Sequence, residues 1–166
     1  MIMPKNQNNI LALYPNTRGL GYACMEGASK IIDVGVRNVR PINNRKVLEY
    51  IDGQIRYYEP VIILLQDNET KHNPYCKRVT RLIRRVEKKC NKNGIQIFKY
   101  SREQVRFVFE QFGAKTKYEI AKKIVTWFPE LEPKMPEARK LWMPEGYYMG
   151  IFDAISLAIA HQYLND

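Results

Sequence analysis

A chain of 166 residues with 45% hydrophobic side chains can bury a core of its own, which excludes a disordered chain and removes any need for disulfide staples. Its 27 Lys and Arg against 17 Asp and Glu leave a formal charge of +10, an excess that attracts polyanions through phosphate neutralisation and counterion release. No apolar run approaches the roughly 18 residues of a membrane span, so no membrane partner is expected.

The stretch Met1 to Lys5 lacks the apolar segment of a secretory signal. Cys24, Cys76 and Cys90 show no metal spacing and read as reduced thiols of an intracellular, cytoplasmic protein. Residues 1–8 are expected to be a flexible tail before a single domain. Asn9 to Tyr14 then reads as a buried strand. Turn residues follow at Pro15 to Gly19, and strands resume at Leu20 to Met25 and Lys30 to Val36, giving an antiparallel meander. The period then changes. Val47, Leu48, Ile51 and Ile55 recur at helical spacing between Asn43 and Tyr58, and Pro60 closes that stretch. Val61 to Leu65 is a continuous apolar run, as in a strand buried on both faces. A helix follows from about Tyr75 to Lys92, then a strand at Ile95 to Phe98. Ser101 with Gln104 and Thr116 with Glu119 are capping-box pairs, opening helices to about Phe112 and Phe128. Pro129, Pro133, Pro136 and Pro144 mark irregular chain, and Tyr147 to Leu164 reads as a last, amphipathic helix. An antiparallel meander followed by alternating strands and helices predicts an α/β fold: a five-stranded mixed sheet with helices on both faces.

Three segments in that order resemble the RuvC-like Holliday junction resolvases of the RNase H-like superfamily. Ile10 to Tyr22 is similar to the family's first strand and turn, Ile62 to Asp67 to its fourth strand, and Gly150 to His161 to its last helix. The stretch from Thr116 to Asp153 further resembles an uncharacterised bacterial and phage branch of RuvC-like proteins. The resemblance spans nearly the whole chain. It implies an RNase H-like fold, nuclease ancestry and DNA recombination as the setting.

Cleavage in that family uses two Mg²⁺ ions, which need several converging carboxylates. The resemblance places acids on the first strand, at the end of the fourth, and at one or two positions of the last helix. Here the first position is Tyr14, a neutral phenol, and the second is Gln66, an uncharged amide. On the last helix Asp153 remains, while Gly150 stands one turn earlier where many relatives carry a second acid. One carboxylate does not balance two divalent cations, so a degenerate site without cofactor is expected, with Asp153 a weak metal ligand. A relocated Mg²⁺ or Mn²⁺ site from Asp67, Glu69, Glu145 and Asp153 is the alternative. Against it, the step from Gln66 to Asp67 turns the side chain to the opposite sheet face unless a bulge redirects it. The simpler expectation is that these are solvated acids. His72 could serve as a general base near the site, but its polar loop makes a solvated side chain the simpler reading, and His161, late in the last helix, reads as a helix-end residue rather than a ligand.

The strongest functional pattern is the helix from Tyr75. Lys77, Arg78, Arg81, Arg84, Arg85, Lys88 and Lys89 fall within an arc of roughly 140°, opposite Val79, Leu82, Ile83, Val86 and Cys90. Seven solvent-facing cations form a candidate phosphate-binding face. Arg37, Arg40, Arg45 and Lys46 form a second basic group, and Arg102, Arg106, Lys115, Lys117, Lys122 and Lys123 a third. Tyr14, Tyr22 and Tyr75 are candidates for stacking on bases, with core packing the simpler reading. The expected protein is a catalytically inactive pseudo-nuclease binding structured or branched DNA, in preference to RNA, with a homodimer as a possible assembly. The alternatives are an active metal-dependent endonuclease and an RNase H-like module for protein interaction.

Overall fold

The computed structural model describes residues 8–68, 77–139, 142–143 and 145–166. Most of the expected N-terminal tail, together with Glu69, His72, Tyr75, Cys76 and Pro144, lies outside the described residues.

Strands β1 (Asn9–Pro15), β2 (Gly19–Glu26) and β3 (Lys30–Asn38) form the meander. Helix α1 (Asn44–Tyr58) is capped by the Asn43 side chain, which accepts from Arg45 and Lys46 amides, and ends at Glu59 in the left-handed conformation rather than at Pro60 itself. Then come β4 (Ile62–Gln66), α2 (Lys77–Asn93) and β5 (Gln96–Tyr100). Helix α3 (Arg102–Glu110) carries the complete Ser101–Gln104 capping box, and Thr116 caps α4 (Lys117–Trp127) through the Glu119 amide. A 3-10 helix (Pro129–Lys134) occupies part of the proline-rich stretch, and α5 (Met149–Asn165) closes the chain.

The sheet order is β3-β2-β1-β4-β5, antiparallel among β1 to β3 and parallel from β1 through β4 to β5. Side chains of a strand alternate between faces. Leu11 and Leu13 of β1, with Ile63 and Leu65 of β4, face α1 and α2. Ala12 and Leu64 face α5, with α3 and α4 packed behind it. The apolar run of β4 is therefore buried on both sides, as expected.

Helix α5 departs from the sequence reading. It is not amphipathic over its first half: every residue from Met149 to Ala158 is buried. The helix is sandwiched between the sheet and α3 and α4, so no side of that half needs a polar stripe. Paired glycines let it lie close against β2. A Cβ at Gly150 would stand 3.0 Å from the Gly21 Cα, and one at Gly21 would meet the Gly150 carbonyl. At the far end of α5, the Tyr100 hydroxyl and His161 Nδ1 are 2.6 Å apart, with Phe98 against the imidazole, so His161 joins helix to β5. Among the described residues no helix is long and apolar enough to cross a membrane.

Candidate functional site

Tyr14 leaves the sheet on the α5 side because it shares the parity of Ala12, and Gln66 does so because it shares that of Leu64. Asp153, one turn into α5, meets them there. All three line one cavity of about 260 Å³ at the end of β1 and β4. Asp67 lines it as well, contrary to the strict alternation expected of it. The ladder ends at this point: the Asp67 amide donates to the Tyr100 carbonyl at 2.8 Å, and beyond Gln66 the pleat no longer dictates direction.

The centre of this site is a cation. The Lys117 ammonium, at the first position of α4, donates to Glu145 Oε1 at 2.8 Å and to Asp153 Oδ2 at 3.5 Å, and lies 5.8 Å from the centroid of the Tyr14 ring. The expectation that Asp153 and Glu145 are solvated acids is corrected. The Asp153 side chain is only 12% exposed, Glu145 is half-buried, and both are bound to Lys117. Burial pushes the Asp153 carboxyl up to about 6, the nearby Lys117 charge opposing that rise. Burial would also raise Glu145, but the hydrogen bond and charge of Lys117 prevail and its pKa is lowered. For Lys117 the order is reversed. Desolvation favours the neutral amine, and the charge of Asp153, with the hydrogen bond and charge of Glu145, outweighs it, so the ammonium is held more firmly than usual. Tyr14 is pushed up to about 12, first by burial and then by Asp153, so it stays a neutral phenol.

These residues do not fit a pair of divalent ions. An ammonium already occupies the space between the two carboxylates nearest the centre, Tyr14 holds its proton, and no group of three His, Cys, Asp or Glu is placed for a metal among the described residues. Gly150 is not simply an acid position left empty, because a Cβ there would stand 3.0 Å from the Gly21 Cα and the backbone would have to give to admit a side chain. Arg102, Arg106, Lys115 and Lys117 also line the cavity, against Asp67, Glu103 and Asp153. With Glu145 counted, four cations face four acids, and the exposed cations Arg102, Arg106 and Lys115 are the ones an incoming anion would meet.

Lys117 and Arg102 count in the sequence only as surface cations. A faint signal marks Lys117: a cation in the first turn of a helix opposes the macrodipole by about 0.3–1 kcal/mol, so partner acids are to be expected.

Helix α2 presents its basic arc on the other side of the sheet. Lys77, Arg81, Arg84, Arg85, Lys88 and Lys89 are exposed, while the apolar residues opposite them are buried against the sheet. The expectation of seven solvent-facing cations is corrected at Arg78, which is half-buried. Its guanidinium donates to Asn44 Oδ1 at 2.8 Å and to the Asn16 carbonyl at 2.6 Å, clamping the turn after Tyr14 to the start of α1. Lys89 is held by Asp52 at 2.5 Å and Glu87 by Lys99 at 3.1 Å. The clamp shows that the start of α2 lies beside the turn that follows Tyr14. Tyr22 packs beside Tyr50 on the α1 side, so its role is in the core rather than in base stacking.

No protein-family model and no curated protein matches the chain. Among solved structures it is similar to T. thermophilus RuvC in complex with Holliday junction substrate, at 14% identity and a TM-score of 0.64, covering 93% of this chain and 92% of that one. A second structure, of Thermus thermophilus RuvC, matches at 14% identity and the same TM-score, covering 93% of each chain. The fold is thus the RuvC-type, RNase H-like α/β fold that the element order implies.

Proposed function

We propose that this chain is a RuvC-like nucleic-acid-binding protein that acts as a single intracellular domain, engages structured or branched DNA through the exposed face of α2, and does not cut it. The observation that carries this reading is the Lys117 ammonium between Glu145 and Asp153. In two-metal cleavage the divalent ions supply both the nucleophilic water and the charge that stabilises the leaving oxygen. A protonated lysine attracts a phosphate but coordinates and acidifies no water. The substitutions at Tyr14 and Gln66 remove the carboxylates that compete with a backbone phosphate for cationic neighbours, and Gly150 supplies none. What remains at the sheet end favours holding a phosphodiester over hydrolysing it.

The basic helix extends that anion-binding character. At 1.5 Å per residue the 17 residues of α2 span about 25 Å, long enough to face several phosphates of a duplex arm. Such contacts position a protein on DNA without reading its sequence, which accords with recognition of structure. The structural neighbour bound to a Holliday junction substrate supports a branched duplex as the preferred ligand.

The test is binding to a four-way junction in EDTA, followed by fluorescence anisotropy from 50 to 200 mM salt. The junction should bind more tightly than linear duplex of equal length. Reversing Arg81, Arg84 and Arg85 to Glu should lower the slope of log affinity against log salt by about three, roughly one for each lost phosphate contact. An unchanged slope refutes α2 as the DNA face. A second reading, a metal site on relocated ligands, draws on one observation: Asp67, Gln66 and Asp153 share the same cavity. Asp153-dependent strand scission would establish it.

A further inference from the structure

We propose that the cavity at Asp153 is a nucleotide pocket: it takes one nucleobase into its interior and the attached phosphate on its rim. This inference rests on the nucleic-acid reading for one of its two sources, an extrahelical nucleotide of a bound branch point. The other source is a free nucleoside monophosphate, and the chemistry is the same.

The lining is graded in the way such a ligand requires. Arg102, Arg106 and Lys115 are exposed at the mouth, where a phosphate retains part of its hydration while gaining charge-assisted hydrogen bonds. The buried lining is mixed: Phe152, Leu157 and Ile120 with the rings of Tyr14 and Tyr100 give it apolar and aromatic surface, beside the polar groups of Gln66, Ser156 and the Lys117–Asp153 pair. A metal centre needs no such floor, whereas a base extruded from a duplex is held by stacking on aromatic and apolar groups. The volume of about 260 Å³ falls just below the roughly 300 Å³ at which drug-sized pockets begin. That space is on the scale of one small planar ligand.

A buried atom points to the same ligand. Gln66 is 5% exposed, and its Nε2 donates to the Pro15 carbonyl at 2.5 Å. That bond fixes the amide, since a carbonyl accepts only from the nitrogen side. Gln66 Oε1 is then a buried acceptor with no partner, on a residue that lines the cavity. An orphan acceptor of this kind is destabilising until a donor reaches it. Every nucleobase carries an N–H donor on its pairing edge, an exocyclic amine or a ring N–H, that can satisfy it.

The experiment has two arms. In the first, nucleoside monophosphates, the corresponding nucleosides and inorganic phosphate are titrated onto the full chain by calorimetry or by NMR of the α5 amides. Monophosphates should bind at one saturable site, about tenfold or more tightly than either fragment. Gln66→Leu should weaken them about tenfold, the loss of one hydrogen bond to a buried acceptor, and Arg106→Gln, at an exposed position that leaves the core intact, should weaken them while leaving nucleosides unaffected. Inorganic phosphate binding as tightly as the monophosphates overturns the proposal, as does full affinity in a folded Gln66→Leu protein together with Arg106→Gln. In the second arm a four-way junction carries 2-aminopurine at the branch point. A fluorescence rise on binding, lost in Gln66→Leu, identifies the extrahelical source. Anisotropy that reports binding with neither a fluorescence rise nor monophosphate affinity overturns the pocket and leaves DNA binding intact. Monophosphate affinity without junction binding keeps the pocket and overturns the DNA reading.

Discussion

Replacing Asp153 by Asn isolates the electrostatics of the site. In the native protein the Asp153 carboxyl titrates near pH 6, raised from 3.8 chiefly by burial. The folded state therefore binds this proton more tightly than the unfolded chain does. The stability that comes from the raised pKa is fully present below pH 3.8 and is lost as pH rises through 6. At about 1.4 kcal/mol for each pH unit, the loss is about 3 kcal/mol, a sizeable share of the roughly 5–15 kcal/mol that holds a domain folded. An Asn at 153 cannot titrate. Glu145 works in the opposite sense, because its pKa is lowered, but it is common to both proteins and largely cancels in the difference. Urea unfolding of both proteins at intervals from pH 3.5 to 8 gives that difference directly. The native protein should lose about 3 kcal/mol relative to Asp153→Asn between pH 4 and 7, with no further change above 7. A difference that stays constant with pH, or that favours the native protein as pH rises, refutes the burial of this carboxylate and with it the proposed site geometry.

Two further substitutions probe the same centre. Lys117→Met leaves Asp153 and Glu145 without their shared cation. It should cost about 2–4 kcal/mol by thermal or urea unfolding at pH 7, near the lower part of the range for breaking buried pairs because Lys117 keeps some exposure, and the loss should shrink below pH 5 as the carboxyls protonate. Gly150→Asp restores an acid where many resolvases carry one but pushes a Cβ into the Gly21 backbone. It should lower stability by about 1–3 kcal/mol or more and create no metal-dependent rise in melting temperature; an unchanged melting curve refutes the close contact.

The fold was readable from the sequence wherever period and local chemistry agreed. The apolar run Val61 to Leu65 announced a strand buried on both faces, and the pairs Ser101–Gln104 and Thr116–Glu119 marked two helix starts to within a residue. Tyr14, Gln66 and Asp153 were legible as a group through the resemblance, whose acid positions they occupy; in the structure strand parity sends the first two toward the helix that carries the third. Helix α5 was misread because a helix sandwiched between layers needs no polar stripe. Asp67 was misplaced because alternation holds only while the ladder lasts. The decisive residue, Lys117, joins the site across 36 positions of sequence from Asp153, a juxtaposition created by the packing of α4 against α5 and absent from any local pattern. Arg78 belongs to the same class: its place in the cationic arc was legible, whereas its bonds to Asn16 and Asn44 depend on how α1 and α2 meet.

The central claim, a resolvase-like site that holds nucleic acid without cutting it, is tested most directly by incubating a labelled four-way junction with stoichiometric protein in Mg²⁺ and, separately, in Mn²⁺, and resolving the strands on a denaturing gel. The account predicts a complex by native gel and intact strands in both metals. Strand scission that disappears in Asp153→Asn would contradict it.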